Sequence, residues 1–142
     1  MLVNAKFAPK HTIEFHFYSG EEGGLLGSAD VWKSYKAAKK DVLAFVNTDM
    51  AGYSPSGKIS VYNDFADNSL TAYVRQIVRA YVGESTEDTC HYACSDHASA
   101  YSNGFPAAYV CDEPDRTSSP FIHSDKDVSF DYGIKRLRSY GD

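Results

Sequence analysis

The sequence predicts an α/β fold in which strands alternate with helices in one layered structure. Three observations carry this. The alternating stretch Thr12-Ile13-Glu14-Phe15-His16-Phe17-Tyr18 reads as a strand with Ile13, Phe15 and Phe17 on one face, stopped by Gly20. The continuous apolar run Val42-Leu43-Ala44-Phe45-Val46-Asn47 reads as a strand buried on both faces of a parallel sheet. Between them, Val31, Trp32, Tyr35 and Ala38 recur at helical spacing, and Lys39-Lys40 suit the negative end of a helix dipole.

Taken in order, the first strand opens onto Ser19-Gly20-Glu21-Glu22-Gly23-Gly24. Two adjacent carboxylates thus stand at its C-terminal end, where open α/β sheets bind ligands, and the glycines permit close backbone approach. A solvated acidic turn is the alternative reading of such a pair. Asp49 stands likewise after the second strand and before the turn Gly52-Tyr53-Ser54-Pro55-Ser56-Gly57, so Glu21, Glu22 and Asp49 are expected to share one edge. Lys58–Tyr62 is a short strand. Asp67-Asn68 caps a helix whose stripe of Leu70, Tyr73, Val74, Ile77, Val78 and Tyr81 reads as core and which ends at Gly83. Pro106–Cys111 is a further buried strand, and a polar loop with Pro114 and Pro120 delivers Ile122-His123-Ser124-Asp125-Lys126-Asp127. A basic amphipathic helix is expected over Tyr132–Tyr140. No repeat, low-complexity tract or linker divides the chain.

With 142 residues and 43% hydrophobic content, the chain is long enough for one domain with a core, or for most of a larger one. A formal charge of −5, from 14 basic and 19 acidic side chains, argues against nucleic acid or an anionic membrane as partner. No run of 18 apolar residues exists, and Met1-Leu2-Val3-Asn4-Ala5-Lys6 lacks the apolar core of a signal peptide, so no address is expected in this chain. Eleven tyrosines and eight phenylalanines fit an aromatic pocket and an aromatic core equally well.

Carboxylates at two strand ends and a histidine on a late loop are donors for a borderline metal such as zinc. The stretch Cys90-His91-Tyr92-Ala93-Cys94-Ser95-Asp96-His97-Ala98-Ser99 is dense in further candidates. A Cys90–Cys94 disulfide is the favoured reading. The alternative is a structural zinc site of Cys90, Cys94, His97 and Cys111, whose spacing departs from the usual paired cysteines. A phosphate-cradling reading of Gly20–Gly27 fails because Glu21 and Glu22 would face the phosphates and no Gly-Lys-Ser/Thr follows. A serine nucleophile lacks its Gly-x-Ser-x-Gly elbow.

Four segments in this order, Phe15–Ser28, Asn47–Tyr53, Cys90–Ser99 and Ile122-His123 with Asp127, resemble the secreted bacterial and fungal leucyl aminopeptidases with co-catalytic zinc, over nearly the whole chain. The resemblance implies a mixed, mostly parallel sheet flanked by helices, as in zinc exopeptidases, and two zinc ions in the complete enzyme. It implies Glu21 as general base, Glu22 as ligand of one zinc, and Asp49 with His123 as ligands of the other. Tyr92, in the loop closed by Cys90 and Cys94, resembles the phenol that stabilises the oxyanion. Ser95, Asp96 and His97 resemble a segment lining the site behind the ligands. His11, His16 and His91 match no ligand. Substrates would be peptides with a free, apolar N-terminal residue, and the parent would be extracellular.

One departure from the family pattern matters. Its members carry an upstream His-x-Asp segment and a bridging aspartate, and nothing before Glu21 matches either. A dizinc site needs metals roughly 3.5–4 Å apart and about four ligands on each. Residues 1–142 are therefore expected to be the C-terminal part of one catalytic domain, with a sheet incomplete on its N-terminal side. Self-association or a partner chain is expected at the surface left open. A non-catalytic binding domain of the same fold is the alternative function.

Overall fold

The computed structural model describes residues 6–127. Four strands, β1 (Phe45–Thr48), β2 (Ile59–Tyr62), β3 (Ser85–Asp88) and β4 (Ala107–Cys111), form one open sheet in the order β1-β4-β2-β3. β1 runs parallel to β4 and β2 parallel to β3, whereas β2 and β4 are antiparallel. The sheet is thus mixed and mostly parallel. Three α-helices accompany it among the described residues: α1 (Leu26–Ala37), α2 (Asn68–Tyr81) and α3 (His97–Ser102).

Successive residues of a strand point to opposite faces, and β4 shows how both faces are covered. Ala108 packs with Val61, Val74 and Val78, which brings α2 onto one face. Its neighbour Ala107 packs with Trp32 and Ala100, which brings α1 and α3 onto the other. Alanines at these positions let the helices approach closely. The α2 start follows its sequence signal: Asp67 stays extended and its carboxylate accepts the Leu70 amide at 2.8 Å.

Two expected strands turn out differently. Residues 12–18 form no ladder among the described residues, and Phe15 and Phe17 are 70% and 93% exposed. Alternation specifies two faces but no partner. The inward side of this segment packs instead on side chains, with His16 against Trp32 and Tyr35 and Tyr18 against Phe45. Nor is the Val42–Asn47 run buried on both faces: β1 is an edge strand paired with β4 alone, leaving Leu43 67% and Val46 48% exposed. β3 and α3 appear where no element is expected. The expected helix at Tyr132–Tyr140 lies outside the described residues.

Candidate active site

Each carboxylate of the candidate site adjoins a regular element. Glu21 and Glu22 sit in a turn bound to the start of α1, where the amides of Gly24 and Leu25 donate to the Glu21 carbonyl at 2.9 and 2.8 Å. Leu26 and Gly27 donate to the carbonyls of Gly20 and Ser19 at 3.1 and 3.0 Å. Leu25 takes a left-handed φ of 59° to reverse the chain. Gly27 is required by the contact itself, because a Cβ there would lie 2.6 Å from the Ser19 carbonyl oxygen.

Asp49 directly follows β1. One carboxylate oxygen accepts the Met50 amide at 2.7 Å and the other accepts the Ser95 hydroxyl at 2.7 Å. The Ser95 oxygen in turn accepts from the buried Asn47 amide at 2.8 Å, so a β1 side chain orients the hydroxyl that orients Asp49. The loop beyond is clamped from β4's end: Asp112 accepts the amides of Gly52 and Tyr53, and the fully buried Glu113 accepts from Ser56 and Thr117. Sequence reasoning missed Asp112 and Glu113, whose carboxylates act on backbone some 57 to 60 residues away.

The structure brings His123 to Glu22, with Nε2 3.0 Å from the carboxylate, and so differs from the expected grouping of His123 with Asp49. Burial pushes the Glu21 carboxyl up to about 7; the Asp49, Glu22 and Asp96 carboxylates act in the same direction and His123 opposes them. Five expected site residues therefore share one electrostatic neighbourhood. Burial, with Asp49 beside it, also raises Asp96, one of whose oxygens is buried without a hydrogen-bond partner. Tyr92 is 59% exposed and makes no hydrogen bond to these residues among those described. His97 faces the core, stacked on Tyr109 with ring centroids 4.7 Å apart, its Nε2 donating to the Asp64 carbonyl at 3.2 Å. His16 is packed among aromatic rings, and His11 and His91 are exposed.

Cys90 and Cys94 are bonded and Cys111 is a buried free thiol. That bond, with His97 turned to Asp64, removes the four-ligand site of Cys90, Cys94, His97 and Cys111. For a zinc ion at the acidic cluster, the Glu22–His123 pair is the right donor chemistry: one anionic oxygen and one imidazole. It is two donors of the four a zinc wants, and no group of three or more His, Cys, Asp and Glu placed for one ion occurs among the described residues. The described residues fit part of a zinc site and not a closed one.

An open α/β sheet with carboxylates gathered at one edge defines the class: an α/β protein with an acidic edge. The family follows from comparison, since the profile of Peptidase family M28 matches residues 1–139, and the chain belongs to that family. A probable leucine aminopeptidase of Arthroderma otae is 45% identical over 122 residues, covering 83% of this chain and 33% of the relative. Leucine aminopeptidase 1 of the same fungus is 42% identical over 96% of this chain and 39% of its own length. The chain thus spans between a third and two fifths of these relatives. Among solved structures, LapB from Legionella pneumophila superposes with a TM-score of 0.90 at 26% identity, covering 98% of this chain and 39% of that one. BSAP, a zinc aminopeptidase from Bacillus subtilis, shares the fold at a TM-score of 0.65 and 24% identity, over 87% of this chain and 32% of its own.

Proposed function

We propose that residues 1–142 form the C-terminal part of the catalytic domain of a zinc-dependent aminopeptidase, removing apolar N-terminal residues from peptides. The observation that carries this reading is the meeting of Glu22 with His123 at 3.0 Å beside Glu21, in a neighbourhood shared with Asp49 and Asp96. Glu22 and His123 would hold one ion and Asp49 would contribute to a second. Zinc, when bound, supplies Lewis acidity and an acidic water. Glu21 is suited to take a proton at its carboxylate, because a base works best with a pKa near the operating pH and burial has brought it to about 7. Ser95 fixes the free rotor of Asp49. Tyr92 would donate its phenolic proton to the oxyanion that develops on the scissile carbonyl. The acidic surroundings favour the cationic α-amine of a free peptide N-terminus.

The remaining zinc donors would come from the preceding part of the parent protein. Its strands would cover the open edge at β1, where Leu43 and Val46 are exposed. The Cys90–Cys94 bond supports an extracellular parent. No described helix is long and apolar enough to cross a membrane. One observation favours a second reading, a non-catalytic binding domain: the described residues close no zinc site.

Glu21→Gln and Glu22→Gln, made in the chain joined to its N-terminal part, separate the readings. Glu21→Gln should keep zinc and lose about 10²–10⁴-fold in leucyl-amide hydrolysis, the usual worth of a positioned base. Glu22→Gln should lose zinc and rate together. A Glu21→Gln protein that loses metal, or a Glu22→Gln protein that keeps full metal and rate, overturns the assignment. A joined chain without turnover favours the binding domain.

A further inference from the structure

We propose that Asp64 is a positioning residue for Tyr92: its carboxylate holds the amides of Cys90 and His91 while its carbonyl holds His97, locking the disulfide ring to the start of α3. The inference rests on the reading of Tyr92 as a proton donor. Both carboxylate oxygens are used, one accepting the Cys90 amide at 3.2 Å and the other the His91 amide at 2.6 Å. From the backbone of the same residue, the carbonyl accepts His97 Nε2 at 3.2 Å. Two sequence segments that flank the disulfide thus meet on one side chain and one peptide unit.

The disulfide cannot do this alone. It closes a ring of five residues but leaves that ring able to turn about the bonds that flank it. Within the ring, His91 has a left-handed φ of 66°, a conformation unfavourable for a non-glycine residue that outside contacts help to hold. Asp64 supplies the hold immediately before Tyr92. Its own position is fixed on both sides, by the Asn63 amide on the Asp88 carbonyl at 3.0 Å and the Asp67 amide on the Ala107 carbonyl at 2.7 Å. His97 follows Ser95 by two residues, and Ser95 binds Asp49. The phenol-bearing ring and the hydroxyl that orients Asp49 are therefore referred to one anchor.

The test uses Asp64→Asn and Asp64→Ala. In the 142-residue chain, amide hydrogen exchange at His91 should quicken by about tenfold or more, the worth of one hydrogen bond to a charged acceptor, while amides of α2 keep their rates. Exchange at His91 that is unchanged, or that quickens only in step with α2, overturns the proposal. In the chain joined to its N-terminal part, either variant should lower kcat with KM unchanged, and Asp64→Ala combined with Tyr92→Phe should be no slower than Tyr92→Phe alone. Multiplying losses would overturn the route through Tyr92. Should Tyr92→Phe itself leave kcat intact, the reading of Tyr92 as donor fails, and the exchange result decides alone whether Asp64 positions the ring.

Discussion

Replacing Gly27 by alanine sets two physical effects against each other. Gly27 lies in the first turn of α1, so helix propensity alone favours alanine by at most about 1 kcal/mol. Packing opposes it: the new Cβ would stand 2.6 Å from the Ser19 carbonyl oxygen and 3.0 Å from the Ser19 nitrogen. Both are backbone atoms, held there by the Gly27 amide bonded to that same carbonyl at 3.0 Å, so no side chain can swing aside. Such overpacking belongs in the upper half of the usual range of about 1–3 kcal/mol, which leaves a net loss of about 1–2 kcal/mol. The relaxation that relieves the clash must move the Ser19–Glu21 turn away from α1 and with it the Glu22 carboxylate from His123. Urea unfolding of Gly27→Ala against wild type measures the loss. Gly23→Ala is the control, because its Cβ would meet only the flexible end of Leu26 at 3.3 Å and the Gly20 carbonyl at 3.4 Å; it should change stability by about 0.5 kcal/mol or less. A Gly27→Ala protein as stable as wild type, or more so, would show that propensity wins and that the turn is not wedged against the helix.

Titration of thiols in the unfolded, unreduced chain should find one sulfhydryl, that of Cys111; three would refute the Cys90–Cys94 bond. Closing so small a ring is worth at most roughly 2 kcal/mol in the chain-entropy model, so reduction should loosen the Tyr92 loop more than it unfolds the domain. Burial holds His97 below its ordinary pKa of 6.5, with the Asp64 carbonyl and the Asp64 and Asp49 charges opposing. Below pH 6.5 the unfolded chain therefore takes up a proton that the native one refuses, and this residue's contribution makes stability fall as pH falls through that window. The His97 ring signal in NMR should titrate below 6.5; a midpoint at or above it would refute the sign.

Asp49 was legible because it follows a strand directly, whereas Glu21 and Glu22 were singled out by a glycine that stops an alternating run, even though that run forms no ladder among the described residues. His123 was legible as a ligand only through the order of motifs, and its expected place beside Asp49 gives way to a pairing with Glu22, since nothing local marks a loop histidine as the partner of a glutamate a hundred residues earlier. β3 escaped notice because Ser85-Thr86-Glu87-Asp88 is an edge strand without an apolar face to alternate. α3 spans six residues, too few for a 3.6-residue period to show. Asp64, Asp112 and Glu113 read as ordinary loop acids in the sequence, and their function as anchors for distant amides exists only once the sheet has placed them.

What the fold leaves uncompensated also bears on function. Three carboxylates, Glu22, Asp49 and Asp96, push Glu21 up, and among the described residues the His123 imidazole opposes them. Asp49 is satisfied by a hydroxyl and an amide, which are dipoles, not charges. Asp96 keeps one buried oxygen with no hydrogen-bond partner among the described residues. A chain selected for stability alone would place a lysine or arginine here, because like charges at partly buried positions repel and desolvation goes unrepaid. Instead, Ser95 and Asn47 hold Asp49 in one orientation, and the disulfide ring and α3 are tied together through Asp64 next door. Spending this much ordering on repelling groups makes sense when a cation from outside the described residues completes the site, and a metal ion and the ammonium of a peptide N-terminus are the two that the proposed reaction would bring.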